Sequence, residues 1–304
     1  MLAVRTAIQH VVLLALLVAG PLSGQAFNDL LTRAERTEFR ETSSYAEVME
    51  LSERLADLSP DIHMTSFGYT NEGRSLPLLV IGAPDASPAA VRATGKTRVY
   101  LQGNIHAGEV CGKEALLMLL RRFASGDYPT WTDELVLLIA PIYNADGNER
   151  VSLNNRPRQH GPIGGMGQRP NAQGLDLNRD HTKLDSPEAR SLVAMMNAYD
   201  PHVGVDLHTT NGTRHAYHLT YSPPLHPNTP AAIDGVLART SITWSGVPCA
   251  LSRSRRSSRA LSVRSSSACP ASSATRRGGR AARHTRRSRM SARRGSTIQG
   301  LSKI

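Results

Sequence analysis

Apolar positions along the chain alternate between a helical and an extended spacing. Between Thr42 and Pro60 they fall at Tyr45, Val48, Met49, Leu51, Leu55 and Leu58. That spacing lines one face of a helix, and Ser44 with Glu47 makes a capping box at its start. Ile62–Phe67 and Arg74–Ile81 flank Tyr69-Thr70-Asn71-Glu72-Gly73 and predict two strands joined by a tight turn. TRVYLQG at Thr97–Gly103 predicts a core strand. Glu109–Phe123 reads as a helix with Ala115, Leu116, Leu119 and Leu120 inward. Leu135–Ala140, LVLLIA, is nearly all apolar, as in a strand covered on both faces. Ser186-Pro187-Glu188 opens a helix to about Tyr199, with Ser as cap and Pro at the first helical position. VGVDL at Val203–Leu207 adds a short strand.

Strands and helices that alternate in this way predict an α/β fold: a mixed, mostly parallel central sheet with helices on both faces. No internal repeat and no second domain is visible. One interval breaks the rhythm. Asn144–His181 runs for 38 residues rich in Asn, Gly, Pro and Arg without a credible element. A loop of that length inside a compact domain is either disordered or functional.

The two ends differ from the body. Arg5, the apolar run Val11–Ala19, Pro21, and the small residues Gly24 and Ala26 read as an export signal over residues 1–26. The apolar run is about half of what crosses a bilayer. The expected location is therefore secreted or periplasmic, with no stable membrane insertion after cleavage. Cys111, Cys249 and Cys269 form no close pair, so export implies no disulfide scaffold.

Net charge changes the picture only at the C-terminal end. The chain of 304 residues carries a formal +11. Residues 251–304 hold 14 Arg, one Lys and no acid, which leaves 21 basic against 25 acidic side chains in residues 1–250. A basic recognition surface over the whole fold is excluded, and no nucleic acid is expected as partner. The tail also has 14 Ser and no Phe, Trp or Tyr, so it lacks the surface to offset ordering entropy. Three readings compete for it: a disordered basic arm, a tether to wall or nucleic acid, and an out-of-frame stretch of a GC-rich gene. The composition favours the last.

Candidate chemistry sits where strands are expected to end. His106 and Glu109 in GNIHAGEV follow the strand ending at Gly103, and His208 follows Leu207 directly. In open α/β sheets the crevice beyond the strand ends is the usual site. Two His and one Glu suit a catalytic Zn²⁺ with one position left open, and Asp206 or a backbone carbonyl offers support to a ring nitrogen. The plainer alternative is a turn histidine followed by a first-turn acid. Adjacent Asn178 and Arg179 in GLDLNRDH have the donors to bind a carboxylate. Arg156 and Arg158 in NNRPRQ offer a cation for a developing oxyanion.

His106-Ala-Gly-Glu109, Asn144-Ala-Asp-Gly147, Asp176-Leu-Asn178-Arg179 and Asp206-Leu-His208, in this order, resemble the zinc metallocarboxypeptidases, the superfamily of the pancreatic carboxypeptidases. The resemblance covers roughly residues 45–249, inside a catalytic domain placed at 42–250. It implies one zinc on His106, Glu109 and His208, a terminal carboxylate held by Asn178 and Arg179, and an oxyanion arginine in Asn155–Arg158. Arg158 fits the distance to Asn178 slightly better than Arg156.

Two departures stand out. Asp180 replaces the Asn usual after the carboxylate-binding Arg, which would favour a substrate amine unless the acid faces away. The family's general-base Glu, well downstream of His208, has no counterpart: the last Glu is Glu188 and the last Asp is Asp234. The family's domain is expected to be truncated or frameshifted after about residue 249. The expected function is an exported carboxypeptidase acting on a peptide or cell-wall peptide, impaired in this chain. The alternative is a zinc-containing, non-catalytic receptor for such fragments.

Overall fold

Side chains alternate across a strand, and in the computed structural model this alternation sorts the apolar residues into two cores on opposite faces of one sheet. The structure describes residues 27, 29–210, 220, 226–233 and 300–301. The expected export signal lies outside these residues, as does the Arg/Ser-rich tail apart from 300–301.

Six strands are described: β1 (Ile62–Tyr69), β2 (Ser75–Ile81), β3 (Thr97–Gly103), β4 (Leu135–Ala140), β5 (Val203–Leu207) and β6 (Gly300–Leu301). Their order across the sheet is β1-β2-β4-β3-β5-β6. The sheet is mixed. Its centre, β4-β3-β5, is parallel, while β1 with β2, β2 with β4 and β5 with β6 pair antiparallel. The antiparallel share exceeds what strand–helix alternation suggests, because the β1–β2 hairpin needs only a tight turn and lies against β4.

Helix starts follow local chemistry. A short α1 (Arg33–Arg36) precedes α2 (Tyr45–Leu58), whose N-cap Ser44 and Glu47 exchange both bonds of a capping box. Next come α3 (Pro88–Ala93), α4 (Val110–Ala124), α5 (Trp131–Glu134), α6 (Ala145–Glu149) and α7 (Pro187–Tyr199). Ser186 caps α7, and Pro187 takes its first turn, where a missing N–H costs nothing. On one face Val48, Leu51 and Leu55 of α2 and Leu116, Leu117 and Leu120 of α4 pack on Leu79, Ile81, Leu137 and Ile139. On the other, Val91 of α3 and Leu192 and Met195 of α7 pack on Leu78, Val80, Val136 and Leu138. Helices therefore cover both faces.

The long interval Asn144–His181 carries short elements that its composition hides. They are α6, an isolated bridge between Ser152 and Met166, and a 3-10 turn at Leu177–Arg179. Asn144 and Asp176 side chains cap the two helical turns, and the bridge is a pair of backbone bonds between Ser152 and Met166, so none of the three depends on apolar periodicity. Among the described residues no helix is long and apolar enough to cross a membrane.

Register between β3 and β5 positions the candidate site. The pairs run from Val99–Val203 to Gly103–Leu207, so both strands end level at one sheet edge. α4 then packs directly over this end. A Cβ on Gly112 would stand 2.7 Å from Leu207 Cβ, so this approach requires glycine. Glu114 anchors the same helix by accepting from Thr42 Oγ1, Ser43 N and Ser43 Oγ.

Gly112→Ala is expected to lower unfolding free energy by about 1–3 kcal/mol, the usual cost of overpacking. Gly164→Ala, where an added Cβ meets nothing within 4 Å, should change it little. Urea denaturation of the two variants makes the comparison.

Candidate metal centre

Beyond Gly103 the chain leaves β3 through Asn104, which holds a left-handed φ of 66° and donates from Nδ2 to Ala107 O at 3.0 Å. Glu109 N then donates to His106 O at 2.8 Å. This one-turn closure brings the His106 ring and the Glu109 carboxylate to the same side, although they are three residues apart. His208 enters from the neighbouring strand, one residue past β5. Ligand atoms of His106, Glu109 and His208 all lie within 4.8 Å of one another.

Nitrogens and oxygens in the cluster are ordered. His106 Nδ1 meets Glu109 Oε1 at 3.1 Å, and His208 Nδ1 meets Glu109 Oε2 at 2.9 Å. The outer nitrogens sit on aspartates: His106 Nε2 on Asp176 Oδ1 at 3.1 Å, and His208 Nε2 on Asp206 Oδ2 at 2.8 Å. Both rings thus turn Nδ1 inward and engage Nε2 outside. A carboxylate behind each histidine is the arrangement that orients metal-binding imidazoles. The donor set fits a divalent metal of the zinc type.

Electrostatics keep the carboxylate charged. Burial alone would raise the pKa of Glu109, but hydrogen bonds from His106 and His208 outweigh it and hold the acid well below the usual carboxylate range. Burial opposes charge on His208 too, yet Asp206 and Glu109 push its pKa up to about 9. Thr209 N adds a bond to Glu109 Oε2 at 3.0 Å.

The sequence candidates divide once they are placed. Arg156 reaches the cluster: Nη2 donates to Glu109 Oε1 at 2.7 Å, and its side chain is only 10% exposed. Its stem crosses Gly108, where a Cβ would meet Arg156 Cγ at 2.8 Å. Arg158, favoured by its distance along the chain from Asn178, is exposed and makes no ion pair with the cluster among the described residues. Arg169 was not anticipated. It forks onto Asp176 Oδ2 at 2.9 and 3.0 Å and brings Nη1 to 3.3 Å from His106 Nδ1, with 41% of its side chain exposed. Its place seven residues before Asp176 in GQRPNAQGLD was the available signal.

Asn178 borders the cluster, with Nδ2 3.5 Å from His208 Nε2. Arg179 next to it is exposed, with Nη1 on Asn178 O at 2.7 Å. Asn144 ties the loops behind the site, donating from Nδ2 to Ile105 O, Arg169 O and Pro170 O and accepting from Gly147 N. Asp146 of the same motif accepts from Thr70 Oγ1, Glu72 N and Arg74 Nη1, so it pins the β1–β2 turn.

A family profile described as zinc carboxypeptidase matches residues 48–232. The chain belongs to the zinc carboxypeptidase family. Among its relatives, carboxypeptidase 2 of Trichophyton rubrum is 29% identical over 143 residues, 46% of this chain and 23% of that one. Carboxypeptidase E of Caenorhabditis elegans is 31% identical over 190 residues, 59% of this chain and 38% of that one. A solved metallo-carboxypeptidase from Burkholderia cenocepacia superposes with a TM-score of 0.44 at 23% identity, covering 59% of this chain and 43% of that one. This carboxypeptidase-family chain thus spans about a quarter of the length of the fungal relatives it matches.

Asp180, the departure from the family pattern, faces away from the cluster. It is buried and accepts from Asp185 N, Ser186 N and Ser186 Oγ, bracing the start of α7. A contact between Asp180 and a substrate amine is therefore not what this geometry provides. Burial opposes its charge, but the bonds from Ser186 and Asp185 prevail and lower its pKa. A depressed pKa contributes stability above the ordinary carboxylate pKa, and that contribution fades as pH falls through the folded value. Asp180→Asn should therefore cost about 2 kcal/mol at pH 7. In urea denaturation across pH, the gap to wild type should narrow below about pH 4.

Proposed function

We propose that this region binds one zinc ion through His106, Glu109 and His208 and takes up peptides by their free C-terminal carboxylate. Carrying this reading is the convergence of two Nδ1 atoms on one buried carboxylate, with both Nε2 atoms held by aspartates. When bound, zinc supplies a Lewis acid that polarises a peptide carbonyl and acidifies a water molecule.

The protein's own groups have separable tasks in this proposal. Glu109 stays ionised because Arg156 Nη2 and Thr209 N donate to it and both histidine rings lie against it. Arg156 is committed to Glu109, so Arg169, more exposed and beside His106, is the better placed cation for an oxyanion. Asn178 and Arg179 offer adjacent donors for a terminal carboxylate, with Arg179 presenting a planar fork. No base is in place among the described residues: Glu109, Asp176 and Asp206 all engage the two histidines. Hydrolysis needs a group within hydrogen-bond reach of the attacking water, so we expect this chain to bind such peptides and to turn them over poorly. The same observation supports the second reading, a zinc-containing receptor for peptides or cell-wall fragments. Export to the periplasm or medium is part of the proposal and rests on the N-terminal pattern of Arg5, the apolar run Val11–Ala19, Pro21, Gly24 and Ala26.

Metal analysis of the purified chain should return about one zinc, and His106→Ala or His208→Ala should lose it, since each removes one of three protein ligands. Stoichiometric zinc in both variants would refute the assignment. Arg179→Ala should weaken binding of a peptide acid by about 2–3 kcal/mol while sparing its amide. Isothermal titration with the acid–amide pair decides this, and equal losses for both would exclude the carboxylate role.

A further inference from the structure

β3 carries two polar side chains in the middle of the sheet. Tyr100 and Gln102 are both fully buried, on the face that also holds Leu138 and Ala140 of β4. Buried polar groups are costly unless hydrogen-bonded, and these two are bonded in a fixed direction. Tyr100 donates its hydroxyl to Gln102 Oε1 at 2.8 Å. With that oxygen engaged, Gln102 Nε2 donates to Asp206 Oδ1 at 3.1 Å. The other Asp206 oxygen, Oδ2, meets His208 Nε2 at 2.8 Å. Gln102 and Asp206 are paired residues of the parallel β3–β5 register, so the backbone holds them at the same level.

We propose that Tyr100 and Gln102 are positioning residues for the metal centre, acting through Asp206 to hold His208 with Nδ1 turned toward Glu109. The inference rests on the zinc reading above and deepens it. Three physical points support it. A neutral amide satisfies one oxygen of Asp206 without drawing off its charge, so the other oxygen remains a strong acceptor for the imidazole N–H. In the neutral form that a metal takes, an imidazole donating from Nε2 has its lone pair on Nδ1, the nitrogen facing the metal position. An amide can also turn either end toward a carboxylate, and its oxygen would repel Asp206. Asp206, an acceptor only, selects the Nε2 end, and the Tyr100 hydroxyl, which burial keeps protonated, supplies the donor for the amide oxygen left behind. The strand thus sets the tautomer of a histidine more than 100 residues downstream.

The test is the zinc affinity of the full chain, measured by competition with a chromophoric chelator, together with the visible spectrum of the Co²⁺-loaded protein. Gln102→Leu should weaken zinc binding about 10- to 100-fold, as loss of an outer partner does. Tyr100→Phe, which removes one hydroxyl, should weaken it about 3- to 10-fold. Both should alter the Co²⁺ spectrum. Val99→Ala, on the same strand but outside the chain of bonds, should lower thermal stability and leave affinity and spectrum unchanged. If Gln102→Leu fails to fold, Tyr100→Phe decides alone. Wild-type affinity and spectrum in the folded variants, or an equal loss in Val99→Ala, would overturn the inference. A wild-type chain that binds neither zinc nor Co²⁺ would instead refute the zinc reading, and this inference with it.

Discussion

Parallel pairing of β3 with β5 is the constraint on which the site depends. Gly103 lies opposite Leu207, so the segments carrying His106 and His208 leave the sheet side by side. A slip of one residue would turn the alternating side chains of β5 to the other face and carry Asp206 away from Gln102. Above this end lies α4, whose Gly112 leaves no room for a side chain against Leu207. Packing and chemistry meet at this sheet end: the turn that starts α4 also presents His106 and Glu109.

Charge within the centre is nearly balanced before any metal is considered. Glu109, Asp176 and Asp206 face Arg156, Arg169 and the two histidines, and each acid has at least two donors. Removing one partner from such a group leaves a buried charge uncompensated, which costs more than the pair itself contributes. The arginines differ in what they can still do. Arg156 is enclosed and spent on Glu109, whereas Arg169 keeps a large exposed face.

Much of the fold was legible because apolar spacing and cap chemistry agreed. Thr97–Gly103, Leu135–Ala140 and Val203–Leu207 are strands with those same bounds, and Ser44 and Ser186 cap the helices they were expected to cap. The Asn144–His181 interval was opaque because Asn144, Asn171 and Asp176 shape it through side-chain bonds that carry no period. Spacing brought out His106, Glu109 and His208, since both halves sit at strand ends. It could not tell which arginine of a basic loop turns inward, and Arg158 and Arg169 differ only in the path of that loop. Tyr100 and Gln102 were invisible for the opposite reason: in TRVYLQG they read as one more core strand, and only the partner strand reveals what they touch.

Two strand ends converge on one candidate metal position. X-ray absorption at the zinc edge of the zinc-loaded chain tests this most directly. Two imidazoles and carboxylate oxygen, with nitrogen and oxygen neighbours at about 2.0–2.2 Å and no sulfur, is the predicted shell. A sulfur neighbour at about 2.3 Å, or a shell with a single imidazole, would contradict it.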